Sequence, residues 1–364
     1  MPFLDEGTRH LIKWARRLQT PLNSIIRRVR YKVQLRPRIT LAALSASLAA
    51  VLLIGSSYIL QVPEGKAGPS LPPLGGDRPA GAPRFSFSIN GVSRPLGVAV
   101  SPNGDRIYVT ESDGLRQTKV FDRDGRPMGE LVPPDSDPAT RVPLYVAVDI
   151  IGQVYVSDRR AHAVFVYSPD GAYLGKLKAP PEKDGPWSPM ALAADNQGNL
   201  LVTDVTTGKH RVLVIGPDGE IIREFGREGA GEGEFKYPNS IASDSSGRIL
   251  VADSNNGRLS VFTPDGAPLW SMTRTDTGST MALPRGLAID RGNRLFVVDT
   301  IAHNLLVFQL EDRGAKQLFT LGSNGIEDGQ FNFPNSLALS ADGHLYVTDR
   351  ENNRVQVWLV PRGD

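Results

Sequence analysis

The sequence predicts an all-β six-bladed β-propeller, its ring closed by an N-terminal strand, preceded by a single transmembrane helix. Three observations predict this. A motif recurs six times between residues 95 and 334, each repeat holds short strand-like runs joined at glycine turns, and one long apolar stretch near the N-terminus carries no charge. A repeat of roughly 40 to 50 residues filled with short strands points to propeller blades rather than to helical solenoids.

Composition narrows the function. The 37 glycines and 28 prolines suit many tight turns, and the complete absence of cysteine excludes disulfides, thiolate metal sites, a cysteine nucleophile and attached c-type haem. The net charge of +2 hides an asymmetry: 13 of the 41 Lys/Arg but 4 of the 39 Asp/Glu lie in 1–84, leaving 28 against 35 in 85–364. The repeat region is therefore mildly acidic, at about −7, which disfavours a phosphate-backbone surface and so a nucleic-acid partner.

The elements follow in chain order. Residues 1–38 carry ten Lys/Arg against Asp5 and Glu6, and read as a basic cytoplasmic leader. Leu11, Ile12, Trp14, Leu18, Leu22, Ile25, Ile26 and Val29 recur there at roughly helical spacing, which suits either a helix lying on anionic lipid or a basic tail. From 39 to 62 no residue is charged, and the run LAALSASLAAVLLIGSSYIL has the ~20 residues a helix needs to cross a bilayer. The positive-inside rule keeps the N-terminus cytoplasmic and places the rest outside the cytoplasm, in a periplasm or at a cell surface. A cleaved signal peptide is the competing reading, and the long leader and long apolar run count against it. Residues 63–84 hold too few large apolar side chains to pack a core and read as a Pro/Gly-rich tether.

The propeller is expected over 85–364. Each repeat opens at a proline (Pro95, Pro143, Pro189, Pro238, Pro284, Pro334) followed by an apolar strand, a glycine turn and a second strand. The second strand ends in an acid at Glu111, Asp158, Asp204, Asp253, Asp299 or Asp349, and a third strand follows. Four repeats then reach a fourth strand through Asp-Gly, at Asp124-Gly125, Asp170-Gly171, Asp218-Gly219 and Asp265-Gly266, where positive φ favours glycine. The last repeat runs out after three strands. The alternating run FSFSI at 85–89 is expected to complete it and to remove the open edge.

Two segments are near copies: FGREGAGEGEFKYPNSIASD, ending at 244, and LGSNGIEDGQFNFPNSLALS, ending at 340. They resemble the NHL repeat, in which Gly-Gln-Phe, Pro, strand, Gly turn, strand ending in Asp, and Asn-Arg follow one another. The resemblance covers about 94 to 360 and is loosest in the first two repeats, where Glu111 stands for the Asp and the Gly-Gln-Phe segment is missing. It implies a six-bladed propeller of the kind that serves as an outer sensor in bacterial receptor kinases, although 38 leader residues are too few for a kinase. It also implies two enzyme comparisons. Amidating lyases place zinc-binding histidines directly after the strand-opening proline, where this protein has Leu96, Leu144, Met190, Asn239, Arg285 and Asn335. Gluconolactonase-like propellers gather acids and asparagines in the channel; Asn239 and Asn335 suit that role, but no carboxylate stands at an equivalent position.

The candidate sites follow from this scheme. One acid per repeat at one register suggests a structural hydrogen bond to the following turn rather than metal binding or catalysis. His162, His210 and His303 fall on one face, yet in repeats 2, 3 and 5 of a ring they stand too far apart to share a zinc ion. The proline ends of the first strands converge at one channel mouth, so Trp187, Met190, Tyr237, Asn239, Arg285, Phe333 and Asn335 form the expected partner face. Aromatics beside Arg and Asn are typical of protein or peptide hot spots, with Trp187 the expected exposed anchor and Tyr237 and Phe333 also suited to plugging gaps between blades. The expectation is a membrane-anchored, extracytoplasmic binding, scaffold or sensor module that docks a protein, peptide or small ligand. No cofactor is predicted. A metal-dependent hydrolase or lyase, with Ca or Zn in the channel, is the alternative.

Overall fold

The computed structural model describes residues 81–361 except 182–185, 276–277 and 279. The expected leader and membrane-spanning stretch, and the tether up to residue 80, lie outside these residues. Among the described residues no helix is long and apolar enough to cross a membrane.

Six antiparallel four-stranded sheets make up six blades. Their innermost strands are Pro95–Val100, Pro143–Val148, Pro189–Ala194, Pro238–Ser243, Pro284–Ile289 and Pro334–Leu339, and each touches the inner strands of both neighbouring blades. The ring is closed by Arg84–Ile89, which pairs antiparallel with Arg354–Leu359 and becomes the outer strand of blade 6. This strand starts one residue earlier than the sequence suggested.

In every blade the opening proline pairs across the sheet with the strand-end acid, as in Pro95 with Glu111 and Pro334 with Asp349. The register then slips within two or three residues in all six. Proline has no N–H to give the ladder, so it sits where the strand begins. The two ends of the channel thus differ in kind. A proline face carries the strand-opening prolines, the acids and the loops between blades, and a turn face carries the hairpins between first and second strands.

The apolar core is divided into six sectors, each filled by residues of two successive blades. On the proline side a buried apolar residue three positions ahead of the proline plugs four of these gaps: Val92, Phe235, Met281 and Phe331. Hydroxyls tie blade to blade nearer the channel. Thr110 donates to the Leu144 carbonyl at 2.7 Å, Ser157 to that of Met190 at 2.7 Å, and Thr348 to that of Leu96 at 3.0 Å across the closure.

Candidate functional site

The strand-end acids have a common partner. Glu111, Asp158, Asp204, Asp253, Asp299 and Asp349 each accept from a backbone N–H one or two residues ahead of the proline of their own blade: Ser93, Val142, Ser188, Lys236, Ala282 with Leu283, and Asn332. All six are buried. The expected bond to the following turn is present at Asp158, Asp204 and Asp299, so it is a second contact in those blades rather than the shared one. In blades 4 and 6 the second carboxylate oxygen also takes Asn256 and Arg258, or Asn352 and Arg354. Those arginines reach on to carbonyls of the preceding loop, at Ala230, Gly231 and Glu234 or at Glu327 and Gln330. The acids are therefore committed to holding the proline-face loops. Among the described residues no group of three or more His, Asp or Glu side chains is placed to hold a metal ion.

The three histidines act between blades. His303 accepts from the Phe333 N–H at 3.1 Å, and its ring lies 4.6 Å from that of Phe333. His210 stands 4.7 Å from the Tyr237 ring, and His162 lies 2.9 Å from the Trp187 carbonyl. At the closure, Asn353 takes the same part and accepts from the Arg94 N–H. Each of these pairs except His162–Trp187 joins two residues at positive φ, one before a third strand and one before the next blade's proline.

The expected partner face divides sharply. Tyr237 and Phe333 are 45% and 43% exposed and do not plug the gaps, because Phe235 and Phe331 two residues earlier already do. Trp187 is corrected from exposed anchor to core. It is 2% exposed and packs between blades 2 and 3 with Val164, Leu192 and Leu213, in the gap where the Gly-Gln-Phe segment is missing. Asn239 is buried and donates to the Tyr237 carbonyl, while Met190 and Arg285 are half-buried.

The channel mouth itself is bridged by polar side chains. Asn335 donates to the Leu96 carbonyl at 3.0 Å and to the Tyr145 hydroxyl at 3.2 Å, and accepts from Arg285 at 2.9 Å. Residues of blades 1, 2, 5 and 6 thereby meet in one network. Burial pushes the Tyr145 phenol above its ordinary pKa, although the Arg285 charge and the Asn335 bond pull the other way. Beside it, one Glu351 oxygen binds both Arg94, at 2.5 Å, and Arg350, at 3.1 Å. Tyr145, Arg350, Arg94 and Glu351 were not among the expected site residues. Tyr145 had a signal: two positions after the proline the other blades have Gly97, Ala191, Ser240, Gly286 and Ser336, all small. On the same face Ile301 and Ile326 are exposed, at 55% and 70%, on blade 5 and on the loop leading to blade 6.

The opposite mouth is different. A cavity of about 470 Å³ lies on the turn face between blades 5, 6 and 1, lined by Val100, Ile289, Leu339, Val360 and Arg294. The N-terminal connection enters the ring on this side, where Arg294 approaches the Gly81 carbonyl at 3.5 Å.

Comparisons with known proteins agree with the architecture. The family model described as NHL repeat matches residues 235–262 and 331–358. NHL repeat-containing protein 3 of Mus musculus is 27% identical over 244 residues, covering 63% of this chain and 68% of that protein. The Homo sapiens protein of the same name is 31% identical over 111 residues, covering 29% of this chain and 32% of its own length. The match thus spans about a third of the human relative. A solved streptogramin B lyase superposes with a TM-score of 0.56 at 14% identity over 78% of this chain and 100% of that one, a likeness of fold alone. The protein is thus a closed ring of six four-stranded blades that carries NHL repeats at residues 235–262 and 331–358.

Proposed function

We propose that the propeller is a docking module, held to a membrane by the apolar stretch 39–62, that binds a protein or peptide segment on its proline face outside the cytoplasm. The observation that carries this reading is that Phe333, Ile301 and Ile326 are exposed on the face whose channel mouth carries the arginines of blades 1, 5 and 6. Large apolar side chains next to arginine are the composition of interface hot spots, whereas a solvent-facing Phe costs free energy when nothing covers it. The strand-end acids and the histidines of the same face are committed to backbone and inter-blade bonds, which leaves the exposed apolar side chains as its uncommitted chemistry.

A photo-crosslinking amino acid at Phe333 of the full-length protein in membranes tests this, with Leu174 on an outer strand as control. The expected result is one saturable adduct at Phe333, absent at Leu174, whose yield collapses when Ile301 is changed to Glu. Phe333→Ala should weaken the partner by about 2 kcal/mol, roughly thirtyfold, with little change in melting temperature. Equal labelling at both positions, or indifference to Ile301→Glu, defeats the reading. Protease protection of the propeller in sealed vesicles tests the orientation, and full accessibility from the cytoplasmic side would reverse it.

A further inference from the structure

We propose that Arg94, Arg285 and Arg350 form a carboxylate-binding site at the proline-face mouth of the channel, which Glu351 occupies in the unbound protein as a built-in competitor. This rests on the reading of that face as a docking surface and names the chemistry it recognises.

The three arginines come from adjacent blades. Arg94 precedes the proline of blade 1, Arg285 follows the proline of blade 5, and Arg350 follows the strand-end acid of blade 6. Their guanidiniums are anchored by few acceptors. Arg94 and Arg350 share a single oxygen of Glu351, and Arg285 is held by the amide oxygen of Asn335. In all three the Nε is shielded from solvent and has no hydrogen-bond partner. A buried donor without an acceptor is costly, and three of them around one mouth, with three positive charges against one carboxylate, leave an incomplete anion site. Arg350 shows the strain of this crowding: burial, with Arg94 and Arg285 adding to it, pulls it below the ordinary arginine pKa.

Geometry favours a carboxylate over a phosphodiester strand. The cluster is confined to a channel mouth, and the surrounding propeller carries a net negative charge, which repels a polyanion but admits a single carboxylate. Guanidinium forks bind carboxylates in two-point fashion, and Ile301, Ile326 and Phe333, exposed on the same face, suit the apolar neighbours of a peptide. Glu351, 30% exposed at its side chain, is the residue an incoming carboxylate would displace.

Calorimetric titration of the full-length protein in detergent tests this with four probes: acetyl-triglycine with a free carboxylate, its C-terminal amide, acetyl-glutamate amide and inorganic phosphate. The free-carboxylate peptide should bind and the amide should not. Glu351→Gln should tighten binding on the order of tenfold by removing the competitor, Arg350→Gln should weaken it at least about tenfold, and added salt should weaken it throughout. Preference for the tripeptide assigns the site to the terminal carboxylate of a polypeptide, and preference for acetyl-glutamate amide assigns it to an acidic side group. Arg94→Gln, at a more exposed position, replaces Arg350→Gln if the latter fails to fold. Absence of carboxylate binding in both wild type and Glu351→Gln overturns the proposal, as does binding that ignores the arginine variants. Binding only to phosphate or to a single-stranded RNA oligonucleotide also overturns it. None of these outcomes touches the Phe333 crosslink, so failure here leaves the docking reading to stand or fall on its own test.

Discussion

Asp253 shows how much one carboxylate does in this fold. It accepts from the Lys236 N–H at 2.6 Å, from Asn256 and from Arg258, and so binds the inner-strand loop, the second-strand end and the third strand together. Asp253→Ala should cost roughly 1.5–3 kcal/mol, because it removes the acceptor shared by the Arg258 Nε, the Asn256 amide and the Lys236 N–H, and a urea midpoint measures it. A second acid, Asp244, gives a pH signature. Burial raises its pKa, but the bonds from Ser246 and from Arg248, the latter at 2.6 Å, outweigh that and hold the group below the ordinary aspartate value. With the native pKa below the unfolded one, the stabilisation is fully present above the unfolded value and is lost as pH falls through the native one. Asp244→Asn should therefore lower stability at neutral pH and flatten the acid limb of the stability curve, and an unchanged acid limb would contradict this assignment.

At the scale of the element, the Gly-Gln-Phe segment explains why two blades match the repeat so closely. In blade 4, Arg227–Glu228 pairs parallel with Glu234–Phe235, and an Asn324–Phe331 bridge repeats the arrangement before blade 6. The loop curls so that Phe235 and Phe331 tuck beneath Gly226 and Gly322, both at positive φ, where an added Cβ would overlap the ring. Gly226→Ala should thus cost more than the ~1 kcal/mol of a simple conformational penalty, and a thermal melt that moved by less than a degree or so would refute the packing argument. The strands, the closing strand and the proline register were legible because period and alternation reflect backbone pairing, which each repeat states independently. The site was legible only in part. Trp187 stood in a loop whose sequence carries no periodicity to say which way a side group faces, and the vacancy it fills is created by the neighbouring blade. Tyr145 broke a column of small residues, a signal visible only on comparing all six repeats at that position. Arg94 lies before the first blade and Arg350 and Glu351 lie in the last, more than 250 residues away in sequence, so only the closure of the ring brings them together.

The whole molecule is held by its seam. Blade 6 takes three strands from the C-terminal end of the sequence and its fourth from Arg84–Ile89, so residues far apart in sequence share one sheet. Ile89 is fully buried beside Val355 and Val357, and Phe85 meets Trp358 edge-on at 5.8 Å. Burying Ile89 contributes about 2 kcal/mol, and each ladder hydrogen bond adds about 1 kcal/mol net, so the strand supplies several kcal/mol. That is a large share of the roughly 5–15 kcal/mol by which domains are stable. Its loss would also uncover the long edge of Arg354–Leu359, which invites pairing with another molecule. Because each core sector is shared by two blades, an opened seam exposes the sector between blades 6 and 1 as well as the edge. A protein beginning at residue 81 should therefore remain monodisperse and melt in one cooperative step, whereas one beginning at residue 91 should aggregate or melt well below it. Near-equal melting temperatures for the two, with both eluting as compact species of the same size, would mean that the ring holds without its closing strand and that stability resides in the individual blades.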